Sequence, residues 1–212
     1  MEQALASDSI LTAAFVALDR VYNTELVAPY DVFEHTFYRD SMRFIAPFVV
    51  SPDGAPVTTF EGLQVAAHYS FDEAPAVDIL VVPSTGNSLD ADLENDRYLR
   101  WIEETARKAD HVISVCYGAF PLVATGLLDG RQVTTFPDAQ DQLAERYSAV
   151  TVRRDVRLVL DGKYITSVGG ARSYEPALYL VDQLYGTETA RSIAGGLVLP
   201  WNRDDVPHAV VE

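Results

Sequence analysis
The stretch from His111 to Gly126, HVISVCYGAFPLVATG, changes character at a single residue, Cys116. Before it, Val112, Ile113 and Val115 form a short apolar, β-branched run that reads as a buried strand. After it, Ala119, Leu122, Val123 and Leu127 recur at helical spacing. A strand therefore turns straight into a helix at Cys116, an elbow that would hold the sulfur at the carboxyl end of a sheet beside the first free N–H groups of the helix. Those donors and the helix dipole favour thiolate. Gly118 suits a close backbone approach after the elbow, and Gly126 through Gly130 read as a helix stop and turn. Pro121 would remove an early helical hydrogen bond, so a delayed helix start or a small kink is expected. Spacing alone leaves open the ordinary alternative, a lone cysteine acting as a small core hydrophobe.

Outward from this stretch, strand and helix alternate. Ile10–Leu18 reads as a strand buried on both faces, followed by a polar loop over 19–24. Leu26, Val27, Tyr30, Val32, Phe33 and Phe37 suggest a helix that tolerates Pro29 only if it starts near that residue. Glu25 is thereby expected in the loop before the helix, at the sheet edge where ligands bind in open α/β folds. Strands are expected over 42–50 and 77–82, with a small hairpin over 57–69 between them. Pro83, Ser84, Thr85, Gly86 and Asn87 then form a tight loop at the same edge, whose backbone N–H groups could face an anion. A helix spans 96–109, with Tyr98, Trp101, Ile102 and Thr105 inward.

Beyond the elbow the pattern predicts a strand over 132–136 and a helix over 138–147. A hairpin over 156–168 turns at Asp161 and Gly162, and helices cover 173–185 and 188–195. The fold class is α/β with a mostly parallel, doubly wound sheet. Residues 1–9 read as a flexible N-terminus, 10–197 as one domain, and 198–212 as an aperiodic tail whose Trp201 offers apolar surface to a neighbour.

A formal net charge of −15, with 16 Lys and Arg against 31 Asp and Glu, leaves no basic cluster for phosphate contacts. Nucleic acid is therefore not an expected partner. One cysteine permits no internal disulfide, which suits a reducing compartment, and no leader or long apolar span is evident. The expectation is a cytoplasmic protein without membrane contact.

Four segments together carry a family resemblance: ELVAPYDVF at 25–33, DILVVPSTG at 78–86, ISVCYGAFPLVATGLLDGRQVTT at 113–135, and SVGG with SYEPALYLVDQLYG at 167–186. They resemble the ThiJ/PfpI family of the class I glutamine-amidotransferase-like superfamily, over nearly the whole chain. The nearest branch contains isocyanide hydratases and the amidase-like domains of AraC-type regulators. No stretch here reads as a helix-turn-helix, so a regulator is not expected. The resemblance implies a flavodoxin-like three-layer sandwich, a homodimer, and no cofactor.

It also implies that Cys116 is a nucleophile and Glu25 the acidic residue against its sulfur. A carboxyl group beside a thiolate resists ionising, so Glu25 could serve as a neutral proton donor. Backbone donors for an oxyanion are expected at Tyr117, Thr85 and Gly86, although Ser84, Thr85 and Gly86 replace the family's usual Gly-Gly. Tyr117 and Phe136 stand where peptidase-like relatives carry histidine, so a Cys-His-Asp triad and peptide cleavage are not expected. His35, His68, His111 and His208 lack ligand-like spacing, and no metal is expected. Tyr22, Tyr30, Tyr117 and Phe136 could wall a small-molecule pocket or simply pack, and Arg172 could orient a substrate or stay solvated. Two functions stay open: a hydratase- or hydrolase-like enzyme acting on a small electrophile, or a non-catalytic member with an oxidisable or ligand-binding thiol.

Overall fold
In the computed structural model of this protein, residues 10–211 are described, so the expectation for residues 1–9 lies outside them. Continuous apolar runs make the central strands. Leu11–Val16 (β1), Ile45–Ser51 (β2), Ile79–Val82 (β6) and His111–Val115 (β7) lie in one sheet with Tyr69–Ser70 (β5), Leu158–Asp161 (β10), Tyr164–Ser167 (β11) and His208–Val211 (β12). The order is β12-β10-β11-β7-β6-β1-β2-β5, parallel throughout except for the antiparallel β10–β11 hairpin. Val57–Thr58 (β3) and Gln64–Val65 (β4) form the small hairpin predicted between 57 and 69. Gln132–Val133 (β8) pairs with Thr151–Val152 (β9) outside the main sheet.

Side chains alternate across the sheet and so build two apolar layers. On one face Phe15, Ile79 and Val115 meet Asn23–Phe37 (α1), Tyr174–Tyr185 (α5) and Thr187–Gly196 (α6) through Phe33, Leu180 and Ile193. On the other, Val16, Leu80 and Val112 meet Asp96–Lys108 (α2), Ala119–Ala124 (α3) and Gln140–Arg146 (α4) through Ile102, Phe120 and Leu143. These large side chains are fully buried, each contributing about 1.5–3 kcal/mol relative to exposure.

Three expectations are corrected. The first helix starts at Asn23 rather than near Pro29, which puts Glu25 in its first turn and Pro29 inside it. Tertiary contacts outweigh the proline's missing N–H: Tyr22 N–H bonds to Ser84 O, and Asn23 N–H to Glu61 Oε2 at 3.0 Å. The strand predicted over 132–136 keeps only its first two residues, because Thr134 and Thr135 turn their hydrogen bonds to Thr166 and Cys116. The aperiodic tail contains β12, an edge strand parallel to β10. Its Trp201 is buried within the chain's own core, with Nε1–H donating to Asp182 at 3.2 Å, so it is not an exposed surface awaiting a partner.

Candidate active site
β1, β6 and β7 are adjacent and parallel, so the segments leaving their carboxyl ends converge. β1 leads to Glu25, β6 to Ser84, and β7 to Cys116. The backbone at Cys116 has φ 58°, a left-handed conformation that costs a non-glycine residue about 1–3 kcal/mol. A 3-10 turn over Cys116–Gly118 then precedes α3, the delayed helix start that Pro121 suggested. Gly118 is required here: a Cβ would lie 2.0 Å from Val82 O. On the other side Gly169, with φ 75°, presses on Cys116, and a Cβ there would lie 2.4 Å from the cysteine's own.

The Cys116 thiol and the Glu25 carboxyl group are hydrogen-bonded, and both are buried. Ser84 donates to Glu25 Oε2 twice, from its hydroxyl and from its backbone N–H at 3.3 Å, and the Gly170 N–H reaches the same carboxyl group. Burial pushes Glu25 above the usual carboxylate range against the pull of these donors. Burial and then the Glu25 charge push the Cys116 thiol up as well. The expectation that the junction favours thiolate is therefore corrected: α3 begins three residues beyond the sulfur, and desolvation beside a carboxyl group outweighs the Tyr117 N–H and Ser84 bonds. Two negative charges do not share this space, and one proton stays between them.

The other predicted site residues divide. The Tyr117 N–H points at the sulfur. The expected backbone donors at Thr85 and Gly86 are already engaged, Thr85 N–H with Ser88 Oγ at 2.8 Å and Gly86 N–H with Arg20 O at 2.9 Å. Tyr22 and Tyr117, both half-buried, are electrostatic neighbours of Cys116 and of each other. The Tyr117 ring meets Phe136 at 5.5 Å, which links Phe136 to the aromatic neighbours of the sulfur. Tyr30 instead packs on Phe15 and bonds to Pro47 O. Arg172 is held by Glu175 at 3.3 Å and lines a separate cavity of about 570 Å³ with Arg157, Tyr174, Leu199 and Trp201. His35, His68 and His208 each use a ring nitrogen on a backbone group. Among the described residues no cluster of three His, Cys, Asp or Glu side chains could hold a metal ion.

Two contributors were not singled out from the sequence. Ser84 was read only as part of a loop, and nothing local marks its hydroxyl as the partner of a residue 59 positions away. Phe60, exposed at the tip of the β3–β4 hairpin, packs tilted against Tyr22 with ring centroids 4.6 Å apart, beneath the Arg20 guanidinium. An aromatic residue at a hairpin tip was the only available signal.

The DJ-1/PfpI family matches residues 11–183, and the chain belongs to that family. Isonitrile hydratase of Pseudomonas putida is 32% identical over 183 residues, which are 86% of this chain and 76% of the hydratase. The HTH-type transcriptional regulator CdhR of Pseudomonas aeruginosa is 29% identical over 77% of this chain, which spans 47% of the regulator's length. A THiJ/PfpI family protein from Pseudomonas syringae shares the fold with a TM-score of 0.79 at 23% identity, covering 93% of this chain and 77% of that one. Drosophila melanogaster DJ-1beta does so with a TM-score of 0.78 at 21% identity, covering 90% and 99%.

Proposed function
We propose that this protein is a cysteine-dependent hydratase of a small, uncharged isocyanide, working through Cys116 and Glu25. The observation that carries this reading is the buried, hydrogen-bonded thiol–carboxyl pair at the strained junction after β7. The similarity to isonitrile hydratase supports the substrate class. Tyr22, Tyr117 and Phe136 offer aromatic surface beside the sulfur for an apolar substituent.

A thiol that resists ionisation suits a relay better than a free thiolate. Glu25 takes the thiol proton as Sγ bonds to the terminal carbon of R–N≡C, and returns it to that carbon to give R–N=CH–S–Cys116. Water then adds to the carbon, a proton passing to nitrogen. Collapse expels the sulfur, which recovers its proton from the hydroxyl, and R–NH–CHO leaves. Substrate and water together account for every atom of the product. The Tyr117 N–H stabilises negative charge on sulfur during both steps. The alternative, an oxidisable sensor thiol, fits less well because oxidation starts from an exposed thiolate, and Cys116 is 3% exposed.

The test is turnover of an alkyl isocyanide to its formamide, followed by mass spectrometry of the protein. Cys116→Ala is expected to be inert. Glu25→Gln removes the group that takes the thiol proton and returns it to carbon, so adduct formation should slow and turnover should fall about 10²- to 10⁴-fold. Unchanged turnover in Cys116→Ala would end the proposal. The same reading takes the protein as a homodimer, as the family resemblance implies, and as cytoplasmic, as its single cysteine suggests; a monomer mass by light scattering at micromolar concentration would remove the dimer.

A further inference from the structure
The loop after β6 is tied to a further buried carboxyl group with no part in the chemistry above. Asp92 is 5% exposed and sits in the 3-10 turn Ala91–Glu94. Among the described residues its side-chain partners are hydroxyls rather than cations: Thr85 Oγ1 donates to Oδ2 at 2.5 Å and Ser88 Oγ at 3.4 Å. Burying a carboxyl group on such partners is costly, which calls for a reason. The same hydroxyls tie the loop to itself. Ser88 Oγ accepts the Thr85 N–H at 2.8 Å, Thr85 Oγ1 accepts the Asn87 N–H at 2.9 Å, and the Asp92 N–H bonds to Asn87 O at 3.1 Å. Thr85 directly follows Ser84, whose hydroxyl and N–H both reach Glu25 and whose carbonyl accepts the Tyr22 N–H at 3.1 Å.

We infer that Asp92 is a positioning residue for the Cys116–Glu25 pair: through Thr85 and Ser88 it fixes the 84–88 loop so that Ser84 presents two donors to Glu25. This rests on reading that pair as the reactive centre. The two donors stabilise an ionised Glu25, and an ionised Glu25 opposes loss of the thiol proton. If the loop slackens, Glu25 keeps its proton to higher pH; the sulfur also loses the Ser84 bond that favours its ionisation, but the Glu25 charge that opposes it is the larger influence, so the sulfur ionises at lower pH. The groups facing the sulfur are Glu25 and Tyr22 from α1 and its entry, Tyr117 from the turn after β7, and Ser84. Of these, Ser84 belongs to the loop that Asp92 holds. Asp92 itself faces Asp90 and the buried Tyr98.

The sequence has one cysteine, so the rate of iodoacetamide alkylation of the full-length protein against pH reports on Cys116 alone. Asp92→Ala is expected to move the midpoint of that profile to lower pH and to raise the rate at neutral pH several-fold. Asp92→Asn retains an acceptor for Thr85 and should keep the wild-type midpoint. Thr85→Val removes the same hydrogen bond and should reproduce the Asp92→Ala shift, a second route if Asp92→Ala does not fold. Combined with Ser84→Ala, Asp92→Ala should add less than its separate shift, because both act through one contact. A merely structural role would raise alkylation at every pH with the midpoint unchanged. That result, or shifts that add in full, would overturn the inference. The assay uses no isocyanide, so its failure is distinct from failure of the proposed hydration.

Discussion
A single buried thiol carries the chemistry proposed here, and its protonation is also a stability variable. Burial, then the Glu25 charge, raises the Cys116 pKa in the folded chain above the roughly 8.5 of an unfolded one. The unfolded state therefore releases this proton first as pH rises. The stability tied to Cys116 is complete below about pH 8.5 and is lost progressively above it, toward the folded-state value. Cys116→Ser removes the titration, so the variant should lose less stability than wild type between about pH 8 and 11, read from urea midpoints at each pH. Parallel pH dependence in the two proteins would mean that the thiol is not held in this way.

At the scale of elements, the site depends on how closely the turn after β7 approaches the loop after β6. Gly118 makes that approach possible, since a Cβ would meet Val82 O at 2.0 Å and Pro83 C at 3.1 Å, both backbone atoms. Gly118→Ala is expected to cost about 3 kcal/mol by urea unfolding, because neither backbone yields without moving Ser84. Its isocyanide turnover should fall with it. Gly195→Ala supplies the contrast: it lies in α6 with open space around its Cβ position, and should be neutral or stabilising by up to about 1 kcal/mol. Equal losses in the two variants would show that the close packing at Gly118 does not matter. The hairpin of β3 and β4 contributes differently, through Phe60 on Tyr22. Phe60→Ala should raise KM for a bulky aryl isocyanide more than for a small alkyl one, with kcat nearly unchanged, as loss of a wall rather than of a reacting group requires. Equal KM changes for both substrates would take Phe60 out of the site.

For the molecule as a whole, the residues after α6 complete the fold rather than trail from it. β12 extends the sheet beyond β10, and Trp201 joins the layer formed by α1, α5 and α6. Trp201→Ala removes a large buried side chain together with its bond to Asp182 and should cost about 3–5 kcal/mol in thermal or urea unfolding. A loss under 1 kcal/mol would return Trp201 to the exposed surface that composition suggested.

The sequence by itself determined the alternation of strand and helix, the parallel sheet, and the junction at Cys116. Each is a local property: apolar runs with β-branched residues make buried strands, helical spacing resumes after the cysteine, and Gly118 marks a close approach. Family resemblance joined Glu25 to Cys116 across 90 intervening residues, which no local pattern does. Only the tertiary structure decided the rest. Pro29 lies inside a helix because contacts from Ser84 and Glu61 hold the helix start at Asn23. Thr85 and Gly86 offer no free donors because their N–H groups are already bonded to Ser88 and Arg20. Arg172 turns to Glu175, and burial beside Glu25 opposes ionisation of the cysteine, because ionisation depends on what surrounds a group in space. Sequence spacing reports the period of an element; burial, hydrogen-bond partners and charge neighbours exist only once distant segments have met.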